Sequence, residues 1–219
     1  MKILSVTPVR VGESELARRR ERYRRLSPPG VEVHLEPAGA GAPTELATRD
    51  DIAASTASVT GTLAAAGTGT HTLRMPDCVL DPGVPLTPDP SPITTSPDAS
   101  APVVGMLRLT ASHLVATGRP FGAVTRNPAI GRALADLLDA YGHGPWFAGV
   151  TTLDLDLDAV SDAAAWNNAV RGALDGFAAR GVTTVINGCS AVDTQAPHPV
   201  RLVDPAETAL RLLAAEGAA

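Results

Sequence analysis

Aromatic side chains are scarce: Phe, Tyr and Trp make up 3% of the 219 residues. The core must therefore be built from Ala, Val and Leu. A lectin-like or base-stacking surface, which needs aromatic platforms, is disfavoured. Positive charge is short as well. Eighteen Lys and Arg against 23 Asp and Glu leave a net charge of −5. Neither nucleic acid nor an anionic membrane is then an expected partner. No apolar run approaches the roughly 20 residues of a membrane span. The opening Met1-Lys2-Ile3-Leu4-Ser5-Val6 reaches polar sequence by Arg10. It lacks the long apolar stretch and small-residue cleavage site of a signal peptide, so the expected compartment is the cytoplasm. There the two cysteines, Cys78 and Cys189, are expected as thiols rather than a bridge. Phosphate-binding Gly-rich motifs are missing, and so is His-Glu-x-x-His. The five histidines, His34, His71, His113, His143 and His198, show no metal-ligand spacing. Asp154-Leu155-Asp156-Leu157-Asp158 opens like a calcium loop, but Ala159 and Ala165 stand where the loop needs Gly and Glu. The expectation is no metal and no cofactor.

What is present is an ordinary globular composition, 44% hydrophobic and 19% charged. The length suits one large domain or two of about 100 residues. Strand and helix signals alternate. Strands are expected over Lys2–Val6, 31–36, 70–75, 102–105, Phe121–Thr125, 147–153, 182–187 and 200–203. Helices are expected over Glu13–Leu26, 45–66, 106–117, 129–141, 158–180 and 205–215, Pro128 introducing the fourth. Such alternation means parallel sheets with helices on both faces. It also repeats: each half reads strand, helix, strand, helix, then a strand followed by a cysteine. The expected fold is α/β, two pseudo-symmetric Rossmann- or flavodoxin-like parallel-sheet domains with a site in the cleft between them. The first domain would comprise 1–101 plus a returning helix over 205–219, and the second 102–204. Residues 81–101 contain six prolines, which no helix can cross, and read as a lid or mobile insert. The arginines of the first helix (Arg18, Arg19, Arg20, Arg22, Arg24 and Arg25) read as a solvated face.

Each cysteine lies near the carboxyl end of an expected strand, where doubly wound sheets bind ligands. Gly188 before Cys189 allows close backbone approach. By themselves the thiols read equally well as small buried hydrophobes. The surrounding residues add to this. Met1-Lys2-Ile3-Leu4, Pro28-Pro29-Gly30-Val31-Glu32-Val33, Cys78-Val79-Leu80-Asp81-Pro82-Gly83, Pro102-Val103-Val104-Gly105, Phe121-Gly122-Ala123-Val124-Thr125, Gly188-Cys189 and Val203-Asp204-Pro205 occur in one order along the chain. In that order the chain resembles the Asp/Glu/hydantoin racemase superfamily, nearest its hydantoin and allantoin racemases. The resemblance implies a substrate α-carbon between two cysteines, Cys78 and Cys189, one taking a proton and the other giving one. Cysteine suits the task because its pKa of about 8.5 can be tuned toward neutrality. It implies enolate stabilisation by backbone N–H groups near Val79, Leu80 and Ser190, with Gly188, Thr125, Thr7 and Pro8 around the substrate. It implies a small-molecule substrate and allows a homo-oligomer.

Two features depart from the family pattern. Thr7-Pro8-Val9-Arg10 stands where the family has Asn-Pro-Asn-Thr. No helix signal follows either cysteine closely, so thiolate stabilisation by a helix N-terminus is not expected. Arg126 is a candidate to hold a substrate carboxylate through its planar fork. His198 near Cys189, and His71 with Arg74, are weaker candidates for the cleft. The expected activity is cofactor-independent racemisation or epimerisation of an amino-acid derivative, hydantoin-like ring or carboxylate. The alternatives are a same-fold lyase or isomerase (a decarboxylase, cis–trans isomerase or biosynthetic enzyme using mainly Cys189) and a non-catalytic ligand-binding relative.

Overall fold

In the computed structural model, residues 1–66, 71–87, 101–160, 162–194 and 197–217 are described. Most of the proline-rich stretch, 88–100, lies outside them, as does residue 70 of the expected third strand. The first sheet contains β1 (Lys2–Val6), β2 (Glu32–Glu36) and β3 (Leu73–Arg74) in the order β2-β1-β3, all parallel. The second contains β4 (Phe121–Thr125), β5 (Phe147–Thr152), β6 (Thr184–Asn187) and β7 (Arg201–Val203) in the order β5-β4-β6-β7, also parallel. A single parallel bridge from Arg74 to Val103 extends the first sheet at the position β7 takes in the second. Both sheets therefore run second-first-third-fourth, and the two halves repeat one topology.

Helices cover both faces of each sheet. The first sheet carries α1 (Glu13–Leu26) and α6 (Pro205–Glu216) on one side, in a core of Ile3, Leu16, Tyr23, Leu35, Leu210 and Leu213. On its other side α2 (Arg49–Ala65) lays Val59 and Leu63 on Leu4 and Val6. The second sheet carries α3 (Met106–Ala116) and α4 (Pro128–Ala140) around Phe121, Ala123 and Ile186. Opposite them, α5 (Ala163–Ala178) buries Trp166, Val170, Leu174 and Phe177 against Val124 and Val185. Each half thus hands its last helix to the other: α3 follows the first sheet but packs on the second, and α6 does the reverse. Among the described residues no helix is long and apolar enough to cross a membrane.

Several elements are shorter than the sequence pattern suggests, for local reasons. The helix expected over 45–66 starts at Arg49, because Thr48 and Asp51 form a reciprocal capping box. The residues before it, up to Ala47, form a loop instead. The helix expected over 158–180 divides into a short 3-10 turn at Leu157–Val160 and α5, whose first amides are held by Asp162. The strand expected over 70–75 is two residues, and that over 102–105 is the one bridge at Val103.

One buried carboxylate ties the halves together ahead of the site. Asp81 has a left-handed backbone (φ 46°) and accepts hydrogen bonds from the Leu107 and Arg108 amides at the start of α3 (3.1 and 2.9 Å). It also accepts one from the Tyr141 hydroxyl (3.1 Å). The start of α3 approaches closely because Gly105 faces the carboxylate, where a Cβ would collide with it. Asp81→Ala leaves these donors unanswered in a buried place. Its expected cost is about 1–3 kcal/mol, read as a lower urea midpoint at unchanged m-value.

Candidate active site

The carboxyl ends of the two sheets face one cavity of about 70 Å³. Cys78 reaches it from the turn after β3, and Cys189 from the turn after β6. Val79, Leu80, Gly188, Ser190, Pro8 and Arg126 line it as well, so eight of the thirteen residues singled out in the sequence meet at one place. Thr7 and Thr125 lie behind the wall. Thr7 is buried, donating to the Val9 carbonyl (2.8 Å) and accepting from the Ala38 amide (2.9 Å). Thr125 donates to the Asn127 carbonyl (3.3 Å) and packs against Gly188. His71 and Arg74 do not reach the cavity. His71 meets His34 (3.2 Å) across β1, and Arg74 donates to the Ala66 carbonyl (2.9 Å). His198 is likewise elsewhere, pairing with Asp175 (3.0 Å) and accepting from the Val200 amide (2.9 Å). A larger surface groove of about 930 Å³ runs along α2, walled by Ala54, Ala57, Ser58 and Gly61, and contains neither cysteine. No group of three or more His, Cys, Asp or Glu among the described residues could hold a metal ion.

The arginine-rich helix is not simply a solvated face. Arg19 and Arg22 are buried. Arg19 lies three residues after Leu16 and four before Tyr23, on the stripe that α1 turns inward. That register is the signal that locates it. Arg19 Nη1 donates to Asp77 Oδ2 (3.0 Å) and Nε to Glu15 Oε1 (2.7 Å). The Tyr23 hydroxyl donates to the other Asp77 oxygen (2.8 Å). Burial, reinforced by the Asp77 carboxylate, pushes the Tyr23 phenol well up, so it remains a neutral donor. Arg22 pairs with Asp204, donates to the Val192 carbonyl (3.2 Å) and has Asp193 Oδ1 3.0 Å from Nε. One helix face therefore holds Asp77, directly before Cys78, and residues 192–193, shortly after Cys189.

A further hydrogen bond joins the two turns: Ser190 Oγ donates to the Asp77 carbonyl (3.1 Å), fully buried. Gly188 makes the second turn possible. Its amide donates to the Val124 carbonyl (2.7 Å), and a Cβ there would collide with that oxygen and with Thr125.

Neither cysteine is followed by a helix; turns occupy residues 79–80 and 190–191. Single amides take the helix's place. The Leu80 amide donates to Cys78 Sγ (3.4 Å), and the Ala191 amide favours the Cys189 thiolate. Burial pushes the Cys78 thiol up to about 12, with the Asp77 and Asp81 carboxylates adding to the rise against the Leu80 amide. Burial also raises Cys189, but the Ala191 amide, Arg19 and Arg22 oppose it. The two sulfurs occupy equivalent places in the repeat and unequal fields.

The cavity's remaining lining was not legible as such: Val9, Arg19, Glu45, Leu46, Ile130, Leu157, Val160 and Ala191. Glu45 and Leu46 come from the loop before α2, and Leu157 and Val160 from the 3-10 turn before α5.

No protein-family model and no curated protein sequence matches the chain. Solved structures do. Allantoin racemase from Klebsiella pneumoniae superposes with a TM-score of 0.79 at 21% identity, over 100% of this chain and 88% of that one. Allantoin racemase from Pseudomonas fluorescens gives 0.77 at 17%, over 100% and 91%. Maleate cis-trans isomerase from Nocardia farcinica gives 0.62 at 13%, over 99% and 92%. These neighbours are proteins of the Asp/Glu/hydantoin racemase superfamily, and this chain has their fold.

Removing the cation behind Cys78 leaves Asp77 with Tyr23 as its remaining side-chain partner. Arg19→Leu is expected to cost about 3–5 kcal/mol. Arg19→Leu combined with Asp77→Asn should recover a large part of it. A double-mutant cycle by urea denaturation measures the coupling.

Proposed function

We propose that the protein is a cofactor-independent isomerase, a racemase or epimerase that moves a proton at a carbon next to a carbonyl. The observation that carries this is the convergence of Cys78 and Cys189, from equivalent turns of two repeated sheets, on one cavity. The substrate class is a small amino-acid derivative, hydantoin-like ring or carboxylate. The expected setting is the cytoplasm, with no cofactor, and with the protein alone or as a homo-oligomer.

In the forward step, a thiolate removes the α-proton. The carbon–hydrogen pair moves into the adjacent carbonyl and makes an enolate. The thiol on the opposite face then gives its proton to the α-carbon, so the configuration inverts and the negative charge passes from one sulfur to the other. Backbone amides near Val79, Leu80 and Ser190 are the donors the resemblance assigns to the enolate oxygen, the Leu80 amide resting on Cys78 Sγ in this structure. The low polarity of the wall strengthens those contacts. The unequal fields assign the starting state. Burial raises both thiols, but Cys189, where Arg19 and Arg22 oppose the rise, is assigned as the more readily ionised of the two and acts as base, and Cys78 holds its proton as acid. Turnover from the other enantiomer begins with the roles reversed and is the harder direction to prime.

A second reading has specific support. A Cys78 thiol pushed up to about 12 offers almost no thiolate near neutral pH, and a lyase or one-sided isomerase needs only Cys189. The two readings part at Cys78.

Proton NMR in D2O, following the α-proton of 5-substituted hydantoins, allantoin, aspartate, glutamate and arylmalonates, tests both. Cysteine-dependent loss of the signal supports carbon-acid chemistry. Cys189→Ser should abolish it under either reading. Cys78→Ser should abolish inversion under the first and leave turnover under the second. Unchanged behaviour of both variants overturns both. Alkylation by iodoacetamide gives the expected order of the thiols: Cys189 should gain reactivity at lower pH than Cys78, since only thiolate reacts and Cys78 stays protonated to about pH 12.

A further inference from the structure

Of the two arginines that line the cysteine cavity, Arg126 has the longer contact with its carboxylate partner. Arg19 meets two carboxylates, at 2.7 and 3.0 Å. Arg126 is as deeply placed, with 7% of its side chain exposed, yet its carboxylate partner Glu45 stands 3.4 Å away. Its other contact is the Leu155 carbonyl at 3.3 Å. Glu45 itself is 43% exposed and sits on the loop before α2. An exposed carboxylate at that distance gains little from the pair and can return to water at small cost. A guanidinium inside cannot lose its proton, and is stable there only with an anion or a full set of acceptors. Around it the wall is apolar: Pro8, Val9, Leu46, Ile130, Leu157 and Val160.

We propose that the Arg126–Glu45 contact is an exchangeable one: Arg126 sets specificity by pairing with a carboxylate on the substrate, and Glu45 is the internal carboxylate that the substrate's replaces. This rests on the reading of the cavity as the substrate site and narrows it to small acids with an apolar body, rather than neutral rings. The planar fork of arginine takes both oxygens of a carboxylate at once, which its contact with Glu45 through Nη2 does not achieve. Because Glu45 and Leu46 share one loop, and Asn127 next to Arg126 donates to the Leu46 carbonyl (2.8 Å), exchange at Arg126 also moves the wall above the cysteines. That movement is the way a cavity of about 70 Å³ admits a larger molecule.

The test is a ligand-observed NMR titration of the full chain with isobutyrate and its neutral isostere isobutyramide. Four proteins are compared: wild type, Arg126→Gln, Arg126→Lys and Glu45→Gln, each with its thermal midpoint measured as a folding control. Isobutyrate should bind about tenfold or more weakly to Arg126→Gln, since one side of a desolvated charge pair is lost. Arg126→Lys should fall between, keeping the charge and losing the fork. Glu45→Gln should bind isobutyrate several-fold more tightly, because the competitor is gone, and isobutyramide should not distinguish the four. Equal binding of acid and amide to wild type, isobutyrate binding indifferent to Arg126, or weaker binding to Glu45→Gln overturns the proposal. If this pattern appears while no α-proton exchanges in D2O, the anion site stands and the proton-transfer reading fails. If neutral hydantoins exchange equally well in wild type and Arg126→Gln, that reading stands and the anion proposal fails.

Discussion

Two guanidinium groups buried on one helix must be neutralised where water cannot do it, and much of the site follows from how that is done. Arg19 and Arg22 lie on the inward stripe of α1 with 6% and 2% of their surface exposed. An isolated charge so placed would cost several kcal/mol. Besides Glu15 on the helix itself, the carboxylates that answer them come from segments near the two cysteines: Asp77 before Cys78, and Asp193 after Cys189 with Asp204 beyond it. The electrostatic demand of the first helix thus draws together turns that are more than a hundred residues apart in the chain. The Ser190–Asp77 hydrogen bond joins those turns directly.

The backbone repeat and the charge distribution obey different symmetries. The sheets repeat one strand order, the cysteines follow equivalent strands, and the last helices are exchanged between halves. Yet α1, which carries the buried cations, has α4 as its counterpart in the second half, and α4 buries Ala129, Ile130, Leu134 and Leu138 instead. Repetition of fold supplies two opposed thiols, and divergence of side chains makes them unequal in acidity.

How much could be read beforehand depended on how local the cause was. Strands β1, β2, β4 and β5, the first helix and the start of α4 at Pro128 all followed from hydrophobic period and turn residues. The two cysteines and their neighbours were legible because strand ends and glycine turns have local signatures. The truncated start of α2 was legible in principle, since Thr48-x-x-Asp51 is a capping box. The burial of Arg19 was too, from its place between Leu16 and Tyr23. The cavity's outer wall was not. Glu45, Leu46, Leu157 and Val160 belong to irregular segments whose position depends on contacts made across the cleft, and no period or cap encodes those. The same holds for His71 and His198, which are close in sequence to the cysteines and turned toward other partners.

The hydrogen bond from Ser190 to Asp77 has a consequence for how such a protein can change. It ties the turn before Cys78 directly to the turn after Cys189, across the boundary between the two sheets. The segment before α2 and the turn before α5 touch the cavity but not that bond. The joined turns and the cavity's outer wall are therefore built from separable pieces of chain. Those loops can change in sequence without touching the bond that joins the two turns.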